Sequence, residues 1–308
     1  LMTPRGYGAL ETKNAFTRAW ELCQQVGETA QIGPVLWALS LFYRMAGDHH
    51  LALEPEEQLL AIAERQQEPV LLLAGHTVLG SHLWWTGSLT AARTHLEQGM
   101  SYRDAHAKKS VWMSYGVDVG MLCVTDLALV LWCCGYPDQA SKKIQEALSL
   151  APALAHQHSL VLARCWAAWL QQFRQRHEQI LQEPIDAAIT IATDQGLSFY
   201  SGILAAVHGW ALAKQGKVDE GLAQIDQGLA LYRANTIEHI VPYFLALLAE
   251  TQGNAGRNQE ATQSLTRALA MAEKNGEHFY DAELYRLKGQ LTLEAGGRRL
   301  ETSASTEL

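Results

Sequence analysis

The stretch Gly209-Trp210-Ala211-Leu212-Ala213-Lys214-Gln215-Gly216-Lys217-Val218-Asp219-Glu220-Gly221-Leu222-Ala223-Gln224-Ile225-Asp226-Gln227-Gly228 sets glycines at −7, 0, +5 and +12 around Gly216. Glycine inside a helix costs roughly 1 kcal/mol against alanine. Three of these glycines sit in apolar, helix-period sequence, so each points to a place where two backbones cross closely. The glycine at offset 0, in a polar break, reads as the turn between the two crossing helices.

The same arrangement recurs along the chain. Turn glycines followed five residues later by a small residue are Gly47 with Ala52, Gly87 with Ala92, Gly135 with Ala140, and Gly256 with Ala261, and Gly296 opens one more turn. Successive spacings are 40 residues, except for 48 between Gly87 and Gly135 and 81 between Gly135 and Gly216. The 81-residue gap is two periods with one turn lacking its glycine, near Gln175. Seven residues before the turns stand Ser40, Gly80, Ala128, Ala168, Gly209, Ala249 and Gly289; twelve after stand Leu59, Gly99, Ala147, Ala187, Gly228 and Ala268. Between turns the apolar residues follow the 3.6-residue period, and no run combines β-branched residues with alternation. The expectation is an all-α chain of about fourteen helices: one over 9–27, pairs over 33–66, 69–105, 119–152, 157–196, 198–235 and 238–275, and a last helix over 278–295. Each pair is a first helix, A, and a second, B. Residues 296–308 are Gly, Ser and Thr-rich and are expected to form a disordered tail.

Of 308 residues, 48% are hydrophobic, and acidic residues outnumber basic ones, giving a net charge of −8. The basic pairs Lys108-Lys109, Lys142-Lys143 and Arg298-Arg299 are too few and scattered for a nucleic-acid groove. The five cysteines form no CxxC motif and read as small residues in a reducing compartment. The most apolar stretch, Leu127 to Cys134, is too short to span a bilayer. With no leader-like segment, the expectation is a cytoplasmic protein with neither nucleic acid nor membrane as partner.

Small, turn Gly, small, small at −7, 0, +5 and +12 resembles the tetratricopeptide (TPR) motif, with a period stretched from 34 to 40. Gly135-Tyr136-Pro137-Asp138-Gln139-Ala140 and Phe279-Tyr280-Asp281-Ala282-Glu283-Leu284-Tyr285-Arg286-Leu287-Lys288-Gly289 are most similar to the C-terminal arrays of bacterial adenylate/guanylate-cyclase ATPases. The resemblance covers roughly residues 6–295 and implies a right-handed superhelix over 1–295. The implied function is that of a non-catalytic regulatory scaffold, whose partner is a protein or a covalently linked ATPase or cyclase domain. No Walker motif is present, so any such domain would lie outside this chain.

In TPR arrays the A helices line the concave face at about −10, −6 and −3 from the turn. Those offsets hold Trp37, Trp84, Trp132, Trp169 and Trp210, with Arg44, Thr125, Glu250 and Arg286 on the same face and Tyr243 nearby. Five of nine tryptophans fall on 21 of 308 positions, where an even spread would place fewer than one. Either they line a groove for an apolar or aromatic ligand, or a tightly wound superhelix packs them as an inner core. A closed pocket would favour a small effector, and an open groove longer than about 20 Å a peptide or helix. Trp37 and Leu41 replace the Lys and Asn of carboxylate-clamp TPR domains. The 48-residue spacing implies an insertion over 105–120 holding Trp112, Met113, Tyr115 and Asp118, either a functional loop folded inward or a cover for repeat surface.

No cofactor is implied, and no metal site, since the twelve histidines lack HExxH or HxxxH spacing. The remaining alternative is an α/α-toroid hydrolase or lyase, with carboxylates drawn from Asp118, Asp126, Glu250 and Glu283.

Overall fold

The computed structural model describes residues 10–26, 31–105, 115–154, 157–182 and 185–306. Among them every regular element is helical. The α-helices are α1 (Leu10–Val26), α2 (Ile32–Met45), α3 (His49–Gln66), α4 (Pro69–Trp85), α5 (Leu89–Ala105), α6 (Val119–Cys133), α7 (Pro137–Leu150) and α8 (Gln157–Phe173). They continue with α9 (His177–Gln182), α10 (Ile185–Asp194), α11 (Ser198–Lys214), α12 (Val218–Ala234), α13 (Val241–Asn254), α14 (Asn258–Asn275) and α15 (Asp281–Thr306). The chain is thus an all-α TPR-like solenoid. The six A helices α2, α4, α6, α8, α11 and α13 pair with the following B helices, and the fourth B helix is described as the two pieces α9 and α10.

The turns repeat one geometry. Gly47, Gly87, Gly135, Gly216 and Gly256 have φ between 76° and 90°. In each turn the next residue donates its N–H five positions back, as from Asp48 to Tyr43 O (2.9 Å) and Lys217 to Leu212 O (3.1 Å). This is the Schellman cap, which needs a left-handed residue after the helix. Gln175 fills that role in the glycine-free turn with φ 56°, and Arg176 N–H donates to Gln171 O at 2.9 Å. Gly296 is different, since α15 runs through it. With Leu300 the one large apolar residue between 297 and 306, that stretch has no apolar face with which to fold back. The helix also covers 296–306, where the composition predicts a tail without structure.

The small residues lie where helices cross. Ser40, Ala128, Ala168 and Ala249 are all buried. A Cβ at Gly209 would stand 2.5 Å from the Gly221 carbonyl oxygen, and one at Gly80 2.7 Å from Leu96 Cγ. In the fourth pair the register slips by one: Ala187 is exposed and Ala188 carries the buried position, where the B helix is divided.

The superhelix also winds back on itself. Glu238 N–H donates to Met45 O at 2.8 Å, and His278 N–H to Trp85 O at 2.9 Å. Both links span 193 residues. The loop that starts α13 therefore sits on the end of α2, and the loop that starts α15 on the end of α4. Segments five helix pairs apart in the chain therefore meet. Successive turns touch at these loops, and the A helices line the lumen.

Candidate functional site

Aromatic side chains occlude the middle of the lumen. Trp84, Trp169 and Tyr243 are fully buried. Trp169 lies 5.7 Å from Trp85, 4.9 Å from Tyr243 and 6.1 Å from Phe173, centroid to centroid. Trp84 and Trp85 meet Phe279 at 5.6 and 5.0 Å. Rings in such offset or edge-on contact contribute about 0.5–1.5 kcal/mol per pair beyond area burial. This plug separates two cavities.

The first cavity, about 490 Å³, lies on the side where the A helices begin. Its walls are Phe16, Trp37, Leu41 and Arg44, Trp85, Tyr115 to Val117, Leu122 and Asp126, His158 and Trp166, Leu197, Phe199 and Tyr200, and His239. The lining is apolar apart from a few fixed polar groups, the usual makeup of a small-molecule site. Asp126 accepts from Trp166 Nε1 (2.8 Å) and from the Ser81 hydroxyl. Burial raises the Asp126 carboxyl to about 6, against the opposing pull of those two donors and of Arg44. Arg44 lies 3.5 Å from Glu56, which also faces His82 at 2.8 Å.

The second cavity, about 750 Å³, lies where the A helices end and is more polar. Trp132, Phe173, Lys214, Glu250, Phe279, Tyr280, Glu283 and Arg286 are among its walls. Glu250 accepts from Trp210 Nε1 (2.9 Å) and Lys214 Nζ (2.6 Å), and Arg286 pairs with both oxygens of Glu283.

The residues expected on one groove face are thus divided. Trp37, Arg44 and Tyr115 share the first cavity, and Trp132, Glu250 and Arg286 the second. Trp84, Trp169 and Tyr243 form the plug, with the Tyr243 hydroxyl donating to Gln172 Oε1 at 3.0 Å. Trp210 is fully buried beside Glu250. Thr125 is turned onto its own helix, donating to the Met121 and Leu122 carbonyls. Asp118 caps α6, accepting from Met121 N–H at 2.8 Å. Of the two alternatives for the tryptophans, Trp84, Trp169 and Trp210 pack as an inner core, while Trp37 and Trp132 line cavity walls. Trp112 and Met113 of the insertion lie outside the described residues; Tyr115 packs edge-on against Trp37 at 5.4 Å.

Sequence reasoning missed Trp85, Trp166, His158, Phe199 and His239. Trp85 and Trp166 stand at −2 and −9, one residue from the offsets used. Position −17 of the last five A helices holds Asp118, His158, Phe199, His239 and Phe279, and all but Asp118 reach a cavity wall.

A buried polar cluster crosses the seam between superhelical turns. His49 Nε2 lies 3.2 Å from His239 Nδ1 and 3.4 Å from Glu277 Oε1, and His239 Nδ1 lies 3.1 Å from the same oxygen. The three residues are at most 2% exposed. Ile240 N–H donates to both Glu277 oxygens at 3.0 Å.

No protein-family model matches the chain. An uncharacterised protein of Rhizobium meliloti (strain 1021) is 22% identical over 297 residues, covering 96% of this chain. The chain spans 28% of that relative's length. Among solved structures, the NprR complex with its cognate peptide NprX superposes with a TM-score of 0.61 at 13% identity, covering 90% of this chain and 78% of that one. A thermophilic TPR protein of Thermus thermophilus aligns over 72% of this chain and 99% of its own, at 19% identity and a TM-score of 0.44. The NprR superposition places the chain among TPR-type helical superhelices.

Proposed function

We propose that this chain is a non-catalytic sensing module that takes a small amphipathic effector into the first cavity. The observation that carries this is a concave space of about 490 Å³ walled by Trp37, Trp85, Tyr115, Trp166, Phe199 and Tyr200, with Asp126 and Arg44 as its fixed polar groups. Aromatic walls supply contact area, and a few anchored polar groups supply orientation. NprR, of similar fold, was solved with a peptide; a short peptide or a single anchoring side chain belongs to the same ligand class. Because the cavity is built from the starts of four A helices and the end of α2, a ligand there would bias how tightly the turns wind, and so signal to a neighbour. That neighbour, by the resemblance above, is an ATPase or cyclase domain of a longer protein.

The carboxylates do not favour catalysis. Asp126 lies in one cavity and Glu250 and Glu283 in the other, each of the latter held by a cation, while Asp118 is a helix cap. Hydrolysis of the glycosidase type uses two carboxyls flanking one bond.

The test is titration with the apolar dye Nile red. One site per chain is expected, with loss of binding in Leu122→Trp, which fills the cavity from its half-buried wall. Undiminished binding in a folded Leu122→Trp protein refutes the assignment.

A further inference from the structure

We propose that His49, His239 and Glu277 form a binding site for one divalent transition ion of the zinc class, which bolts together successive turns of the superhelix. The site is independent of the effector reading. Its residues come from the first turn of α3 and from the loops that start α13 and α15, separated by up to 228 residues. No local spacing marks it, which is why a search for HExxH or HxxxH sets metal aside.

The geometry is that of a metal face. Ligand atoms 2.0–2.1 Å from a tetrahedral zinc lie roughly 3.3–3.4 Å from one another. The three separations here are 3.2, 3.4 and 3.1 Å. An ion about 0.8 Å out of the plane of the three atoms reaches all of them at zinc distances. Two imidazoles and a carboxylate suit zinc, cobalt or nickel rather than calcium or magnesium. The carboxylate is already oriented, since the Ile240 amide donates to both of its oxygens; metal sites use such outer hydrogen bonds to aim their ligands.

Both histidine nitrogens converge on one oxygen of Glu277, whose carboxylate is buried.

The ion would tie the start of α3 to the two loops that already sit on α2 and α4 through Met45 O and Trp85 O. His239 is also a wall of the first cavity, so the loaded site borders the effector space.

The experiment uses the full chain, stripped with chelator and equilibrated with zinc alone. Expected are one retained zinc per chain, a higher melting temperature reversed by EDTA, and tetrahedral visible bands when cobalt replaces zinc. Retention should fall at least tenfold in His49→Gln and in Glu277→Gln and stay unchanged in His76→Gln, which alters a second, half-buried histidine pair (His76 Nδ1 to His95 Nδ1, 3.1 Å). Wild-type protein that retains no zinc and gains no melting temperature overturns the proposal, even if the variants fail to fold. So does zinc lost in His76→Gln but kept in His49→Gln.

Discussion

Gly47 and Gly256 have the same backbone angle, φ 76°, in two turns of the same kind, yet their surroundings differ. A Cβ at Gly256 would meet nothing within 4 Å. A Cβ at Gly47 would lie 2.8 Å from Glu238 Cβ and 2.9 Å from Asn275 Nδ2, atoms of the adjacent superhelical turn. Alanine at either site incurs the left-handed cost of about 1–2 kcal/mol. Gly47→Ala adds overpacking of about 1–3 kcal/mol, because Glu238 Cβ cannot swing aside and Asn275 is tied to the Glu238 carbonyl at 3.2 Å. The difference between the two variants therefore measures the seam alone. Urea unfolding should show Gly47→Ala weaker than Gly256→Ala by about 1–3 kcal/mol. Amide hydrogen exchange localises the effect: the Glu238 and His239 amides, bonded to Met45 O at 2.8 and 3.4 Å, should exchange faster in Gly47→Ala and not in Gly256→Ala. Equal destabilisation with equal exchange would mean that the turns do not touch.

Two further outcomes follow from the lumen. Trp169→Ala, at the centre of the plug, should cost about 3–5 kcal/mol, while Trp132→Ala at the half-buried wall should cost roughly 1 kcal/mol or less; denaturant midpoints decide, and a tolerated Trp169→Ala would return that ring to the binding surface. Asp126 holds its proton in the fold up to about pH 6 against 3.8 ordinarily, so the unfolded chain releases that proton first and stability falls as pH rises from about 4 to about 6, by on the order of 3 kcal/mol. Asp126→Asn should erase that component, read as the change with pH in the stability difference between wild type and variant; a pH-independent difference refutes the raised value.

Local geometry was readable because each repeat writes it separately. Small residues recurring at fixed offsets around the turns identify the helix pairs, and Gln175 takes the left-handed cap without being a glycine, since spacing alone located its turn. The first register slip, Ala187 for Ala188, occurs where the B helix itself is divided. What spacing does not encode is the winding. Superhelical rise accumulates from a small rotation per pair, and over five pairs a modest difference separates an open trough from touching turns. The acceptors that register the contact, Met45 O and Trp85 O, are backbone atoms and leave no trace in side-chain identity. The groove offsets −10, −6 and −3 assume an open face, so they gathered residues that close winding assigns to two cavities and a plug.

The winding also bears on the size of the proposed ligand. An extended peptide needs a continuous trough, and here Trp84, Trp169 and Tyr243 interrupt the lumen with fully buried rings. A ligand longer than one cavity would have to displace the plug and give up its ring contacts together. A compact molecule needs only the first cavity, whose polar groups are already fixed by Trp166, Ser81 and Glu56. The winding that hides the tryptophans therefore favours the small effector, and leaves a protein neighbour the outer face of the B helices and α15, where Tyr285 and Leu293 are 60% and 79% exposed.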